Sequence, residues 1–224
     1  MFKNRAQAGH LLARLLKKYT NKNVCVYGLA RGGVVVAFEI AKHLKAPLRA
    51  LVVRKIGHPH NDEFAIAAVT ENCEAVSSDK LNDVSRQWLR EEITHEKSEA
   101  KRLNKLYALE ADTVEVRGKL CIIVDDGAAT GLTMEAAIKE LRSRGVGQIV
   151  VAIPVAPMDV VKRLLKESDD QVVLESPIEF RGSVGSYYMS FPQVETLQAI
   201  ALIRKAMIGG GVAASSFLPA TSKV

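Results

Sequence analysis

The chain has 224 residues, 48% hydrophobic and 25% charged, with a net charge of +6. That length supports one sizeable core, and the balance excludes a disordered or low-complexity chain. The longest charge-free apolar run, Val146 to Met158, is interrupted by Gln148, Pro154 and Pro157 and is too short for a membrane span.

In chain order, Phe2 to Tyr19 reads as a basic amphipathic helix with Leu11, Leu12, Leu15 and Leu16 on one face, packing on the domain. It lacks the apolar stretch and cleavage site of a secretory signal; a mitochondrial targeting peptide stays open. A short strand, Val24 to Tyr27, runs into the glycine-rich turn Gly28-Leu29-Ala30-Arg31-Gly32-Gly33 and a helix over Val34 to Leu44. The next strand, Arg49 to Val53, ends in Arg54-Lys55. Ile56 to Glu63, rich in Gly, Pro, Asn and Asp, reads as a loop. Phe64 to Thr70 is a strand candidate, and Glu74 to Val76 could pair with it after a turn at Glu71-Asn72.

Asp79 could cap a long, highly charged helix reaching Leu109, whose thin apolar stripe suits a surface position or a subunit contact. Lys119 to Val124 is a strongly apolar strand and Gly131 to Arg144 a helix stopped by Gly145. Strand Ile149 to Ile153, helix Met158 to Glu167 and strand Val172 to Leu174 continue the alternation. Phe180, Tyr187, Tyr188 and Phe191 precede a last helix, Val194 to Met207. Residues 209–224 are small and polar and read as a disordered tail after a single domain over 1–208.

Strand and helix alternating at these intervals predict an α/β fold: a doubly wound, mainly parallel sheet with helices on both faces and a small hood from the N- and C-terminal regions. Ligands of such sheets bind beyond the carboxyl ends of the strands. The glycine turn, the Arg54-Lys55 pair and the acidic loop after Val124 all fall there.

The acidic loop is the most informative segment. Residues 122–133 read IIVDDGAATGLT. Small residues let backbone N–H groups close round a phosphate at a helix N-terminus, and Thr130 adds a hydroxyl donor. Asp125 and Asp126 together could accept hydrogen bonds from a pair of sugar hydroxyls. This segment resembles the binding signature of the type I phosphoribosyltransferases. The resemblance implies that Asp125 and Asp126 hold ribose, and touch Mg2+ indirectly through waters or ribose oxygens. It further implies that Gly127, Ala128, Ala129, Thr130 and Gly131 grip the 5-phosphate of 5-phosphoribosyl-1-pyrophosphate.

Two other segments share the resemblance. The glycine turn falls where the family keeps its pyrophosphate loop, which implies roles for Ala30, Gly32 and Arg31. It lacks the dinucleotide Gly-x-Gly-x-x-Gly spacing, and a plain strand-to-helix turn would also use glycines. Arg54 and Lys55 resemble the family's basic pair beside a mobile lid, with Arg31 and Lys55 as the catalytic cations. His58 and His60 in that loop are either exposed or catalytic. More narrowly, FKNRAQAGHLLARLL, VVRKIGHPHNDEFAIAAV, the long helix after it and VGSYYMSFPQV resemble a bacterial stand-alone branch of that family, and the resemblance takes in nearly everything up to Met207.

The implied activity is that of a glycosyltransferase displacing pyrophosphate at ribose C1 with a nitrogen nucleophile, a nucleobase by class. Mg2+ is the implied cofactor, and the partners are the phosphoribosyl donor and an unidentified small-molecule acceptor. Ala129 stands where some purine-using relatives carry an acid, so either another residue, with Glu63 a candidate, takes the nucleophile's proton or the nucleophile needs no base. Tyr187, Tyr188 and Phe191 could stack on a flat base or belong to the core.

Lys3, Arg5, Arg14, Lys17, Lys18, Lys22 and Arg31 all precede the first acidic residue, Glu39. That bias suits a polyanionic ligand or merely a solvated helix face. The competing reading is a regulator that senses the donor and binds nucleic acid. Against it, no aromatic-rich nucleic-acid signature occurs. Cys25, Cys73 and Cys121 form no Cys-x-x-Cys pair and suit a reducing, cytoplasmic compartment. A homodimer or higher homo-oligomer is expected, with neither membrane nor nucleic acid as partner.

Overall fold

A computed structural model describes residues 1–78, 81, 83–108 and 115–209, apart from the side chains of Asp62 and Glu63. Its centre is a five-stranded parallel sheet in the order β2 (Leu48–Leu51), β1 (Val24–Leu29), β6 (Leu120–Val124), β7 (Gln148–Val155), β8 (Asp170–Glu175). Side chains of a strand alternate between faces, and here both faces are covered. Val24, Val26, Leu120 and Ile122 pack under α1 (Arg5–Leu15), α2 (Gly32–Leu44) and α6 (Thr196–Gly209). Cys25, Tyr27, Cys121 and Ile123 pack under α4 (Leu132–Ser143) and α5 (Met158–Glu167). This two-sided burial is why β1 and β6 read as unbroken apolar runs. Burial pushes the Cys25 thiol up to about 11 and that of Cys121 up to about 12, which leaves both inert.

The expected doubly wound sheet is present, with two differences. The stretch Ile56 to Glu63 is not a loop: β3 (Arg54–His58) and β4 (Asn61–Val69) form an antiparallel hairpin turning at Pro59-His60. With β5 (Val76–Ser77) they make a separate three-stranded sheet. Register shifts on both sides of Gly57 bend the hairpin, which is where Gly and Pro hide strand character from a composition-based reading. The long charged helix, α3, is described over Arg86–Ala108, with Trp88, Leu89 and Ile93 packed on Ile56, Ile66 and Val69. Asp79 and Leu109 lie outside the described residues, as do 210–224; Gly209 itself ends α6. Among the described residues no helix is long and apolar enough to cross a membrane.

A buried carboxylate ties the small sheet to the large one. Glu140 on α4 is 1% exposed and accepts from Thr70 Oγ1 at 2.8 Å, Asn72 Nδ2 at 2.9 Å and Arg144 Nη2 at 2.6 Å. Burial alone would raise its pKa, but these donors outweigh it and hold Glu140 below the usual carboxylate range. Glu140→Gln is expected to cost about 1–3 kcal/mol at neutral pH. A group depressed in the folded state stabilises above its unfolded pKa, near ~4.3, and loses that contribution as pH falls through the folded value. Urea titrations of both proteins should therefore converge on acidification. A gap that stayed constant down to the acid limit would contradict this role.

Candidate active site

The carboxyl ends of β1 and β6 deliver the glycine turn and the acidic loop side by side. A Cβ on Gly33 would lie 2.6 Å from Val124 O and 2.9 Å from Asp125 Cα, so only glycine lets the turn reach the loop. Gly32 sits equally close to Asp126, where a Cβ would meet Oδ2 at 2.0 Å. The Ala30–Arg31 peptide is cis. Arg31 stands exposed at the start of α2, with a loose 3.8 Å pairing to Glu195.

Asp125 and Asp126 have different surroundings despite adjacency. Asp125 Oδ1 accepts from the Asp126 amide at 2.8 Å. Loss of water around its carboxyl and the neighbouring Asp126 charge push its pKa well up, while Lys55 pulls it back down. Asp126 instead holds an ion pair with Arg5, Nε to Oδ2 at 2.6 Å, with both side chains largely buried at 9% and 16% exposure. The backbone carbonyl of Asp126 accepts from Tyr188 Oη at 2.6 Å.

Beyond the acids, Gly127 and Ala128 are buried, and the Ala128 amide is anchored to Val155 O at 2.9 Å. Gly127 needs its bare Cα because a Cβ would fall 2.4 Å from Val184 Cγ1. Ala129 is exposed, and Gly131 adopts φ +81° to start α4 without a side-chain cap. Among the described residues the amides of Ala129, Thr130 and Gly131 bond to no protein carbonyl. They form an open rim at a helix N-terminus, chemically an anion cradle. Arg163 of α5 braces this rim, donating to Thr130 O and to Glu135 Oε1 at 2.8 Å.

The basic pair divides. Arg54 and Lys55 do not end a strand of the large sheet; they begin β3, where successive side chains face opposite ways. Arg54 shares the side of buried Ile56 and donates to Glu96 of α3 at 2.5 and 3.3 Å. Lys55 remains exposed on the other side and acts electrostatically on Asp125. Arg54, expected to meet the donor, is paired with Glu96 of α3.

The hood departs from expectation in its chemistry. Residues 2–3 are zipped to 187–190 by Phe2 N to Tyr187 O at 2.8 Å, Met189 N to Phe2 O at 2.8 Å and Ser190 N to Lys3 O at 3.1 Å. Tyr187 and Tyr188, 2% and 6% exposed, pack with Phe2, Ala8 and Val155 as core. They offer no stacking platform. Phe191 is half-exposed, but the Arg5 guanidinium lies 3.6 Å over its ring. The side chain of Glu63 lies outside the described residues. A large apolar cleft, about 590 Å3, lies at the far end of α2 among Phe38, Ala41, Ala46 and Ile208, well apart from this edge.

A family model, "phosphoribosyl transferase domain", matches residues 3–190. The chain belongs to the phosphoribosyl transferase family. Two Mycobacterium tuberculosis proteins provisionally named phosphoribosyl transferases, one from each of two strains, are 38% identical to it over 212 residues. Those matches take in 92% of this chain and 47% of each relative, so the chain spans about half the length of the curated relatives it matches. The crystal structure of the Thermus thermophilus protein TT1426 superposes with a TM-score of 0.75 at 36% identity, over 91% of this chain and 98% of that one. This family membership agrees with the mostly parallel sheet and its flanking helices.

Proposed function

We propose that this member of the phosphoribosyl transferase family binds 5-phosphoribosyl-1-pyrophosphate with Mg2+ at the β1–β6 edge and transfers the ribosyl group to a nitrogen nucleophile, a nucleobase by class. The observation that carries the reading is the contact of Gly33 with Asp125, which makes one wall of the glycine turn and the acidic loop. In this reading the amides of Ala129, Thr130 and Gly131 take the 5-phosphate, helped by the Thr130 hydroxyl, with Gly127 and Ala128 shaping the turn. Asp125 and Asp126 take the ribose hydroxyls, and Ala30, Arg31 and Gly32 face the pyrophosphate.

The C1–O bond breaks with its electron pair leaving on pyrophosphate, and a C1–N bond forms as the nucleophile gives up its proton. By analogy with glycoside chemistry the transition state has oxocarbenium character. Positive groups fixed where the leaving charge grows are the main catalytic resource here. Arg31 and Lys55 are exposed cations at this edge, and Lys55 also balances Asp125. Partly buried carboxylates beside a phosphate cradle fit a hard, oxygen-seeking cation; Asp126 is already paired with Arg5, whereas Asp125 feels Lys55 only through space. Mg2+, when bound, would neutralise pyrophosphate oxygens, with Asp125 and Asp126 reached through water or ribose. In this reading Ala129 supplies no base: another residue takes the nucleophile's proton, or the nucleophile needs none.

The test is calorimetric titration of the donor together with MgCl2, followed by pyrophosphate release with a panel of nucleobases. Saturable binding and release with one class of base are expected. Absence of heat with well-folded protein would sink the reading. Donor binding without turnover, joined to salt-sensitive retention of RNA, would favour the regulator instead.

A further inference from the structure

Arg5 is the first residue of α1 and lies 121 positions from Asp126, yet its side chain is turned onto the acidic loop and its support. Its Nε donates to Asp126 Oδ2 at 2.6 Å and its Nη1 to Pro192 O at 2.7 Å, while the guanidinium plane covers Phe191 at 3.6 Å. Gly32 of the glycine turn closes the remaining side, where a Cβ would lie 3.1 Å from Arg5 Nε. A guanidinium held in this way has its orientation set by stacking on one face and by two donors in a fixed fork.

The helix that carries Arg5 is itself fixed. Gly9 lets α1 cross α2 closely, since a Cβ there would meet Val36 O at 2.7 Å and Glu39 Cβ at 3.0 Å. The Asn4 side chain caps α1 by accepting from Gln7 N at 2.9 Å. On the other flank, residues 2–3 pair with the 187–190 segment, whose Tyr188 hydroxyl holds the Asp126 carbonyl. Asp126 is therefore gripped at its side chain by the start of the chain and at its backbone by the C-terminal hood.

We infer that Arg5 is a positioning residue of the donor site: it acts through Asp126, fixing that carboxylate so that its other oxygen can accept a sugar hydroxyl. The inference rests on the donor-site reading above. Geometry supplies the reason a cation is needed. Two neighbouring carboxylates repel, and a side chain free to rotate would turn one of them to solvent. A charge-assisted hydrogen bond to one oxygen leaves the second with its lone pairs available and its direction set. The pair then meets the ribose preorganised, and the ordering cost is met at folding instead of at binding.

The decisive experiment is a double-mutant cycle read by calorimetric titration of 5-phosphoribosyl-1-pyrophosphate with MgCl2. In the otherwise unchanged chain, Arg5→Gln is expected to weaken donor binding at least about tenfold, the worth of a sugar hydroxyl's hydrogen bond to a carboxylate that is no longer held in place. On an Asp126→Asn background the same change should cost less than about twofold, because the group through which Arg5 acts is already disabled. Arg5→Lys, which keeps the charge but not the fork, should fall between the two. A purely structural role would lower Tm and weaken binding equally in both backgrounds, and that result overturns the inference. So does unchanged affinity in Arg5→Gln. If Arg5→Gln does not fold, Arg5→Lys carries the same cycle, with a loss of about threefold expected only where Asp126 is intact. Donor binding by the unchanged protein that is lost in Asp125→Asn but indifferent to Arg5 would sink this inference alone. No donor binding at all would sink it together with the functional reading.

Discussion

Asp125→Asn is expected to weaken donor binding by about 10- to 100-fold while making the folded protein more stable, not less. The folded state holds the Asp125 carboxyl where water is scarce and Asp126 is adjacent, so its pKa is raised. A carboxyl raised in the folded state stabilises below its unfolded pKa, and that contribution disappears as pH rises through the folded value. Asparagine keeps an oxygen for the Asp126 amide and carries no charge to desolvate. The gain in Tm should therefore be largest at neutral and alkaline pH and vanish near pH ~3.9, where the unfolded carboxyl is itself half-protonated. Thermal melts across pH, paired with donor calorimetry, check both halves. A variant that lost stability at neutral pH would show that Asp125 is a structural acid. One that bound the donor normally would remove Asp125 from the site. The opposition of the two effects is what an acid retained for ligand binding at the expense of stability should produce.

Gly33→Ala is expected to damage the site more thoroughly than any change of a charged residue. The added methyl would meet Val124 O and Asp125 Cα at 2.6 and 2.9 Å, both backbone atoms that cannot rotate aside. The glycine turn must withdraw from the acidic loop, separating Ala30, Arg31 and Gly32 from Asp125 and Asp126 at once. Overpacking of this kind costs about 1–3 kcal/mol of stability, or a few degrees in Tm for a domain of this size. Donor affinity should fall by about 100-fold, since several contacts are misplaced together. A useful contrast is Gly118→Asn: Gly118 has φ +71° and nothing within 4 Å of its Cβ position, and asparagine tolerates the left-handed region. That change should leave donor binding intact. Equal damage from the two substitutions would mean that glycine loss acts through general stability, not through the wall between turn and loop.

The parts of the site follow different physical rules, and this explains which were legible in the residues. The strand-loop-helix over 120–143 is local: an apolar run must be buried on both faces, two acids cannot join it, and small residues must turn into the next helix. Its position in the chain and its chemistry are therefore readable together. Phe64 to Thr70 is legible as a strand, but its partner over 56–63 is hidden because Gly57, Pro59 and Asn61 give the composition of a loop, and the pairing is visible only once Ala65, Ala67 and Ala68 lie opposite. The same pairing explains why Arg54 and Lys55, alike as neighbours in sequence, do different work. One side of β3 is packed on α3 and offers Glu96; the other is open and lies near Asp125.

Taken alone, the residues determined the alternation of strands and helices, the two-sided burial of β1 and β6, and the two glycine- and acid-bearing turns at one edge, because each depends on periodicity and on backbone freedom over a dozen positions at most. Only the tertiary structure decided that Arg5 belongs to Asp126, that Arg54 belongs to Glu96, and that Tyr187 and Tyr188 are core. Those assignments depend on which charged or aromatic group another segment brings within a few ångströms. Hydrogen bonds and ion pairs act over just that range, and no spacing along the chain encodes it.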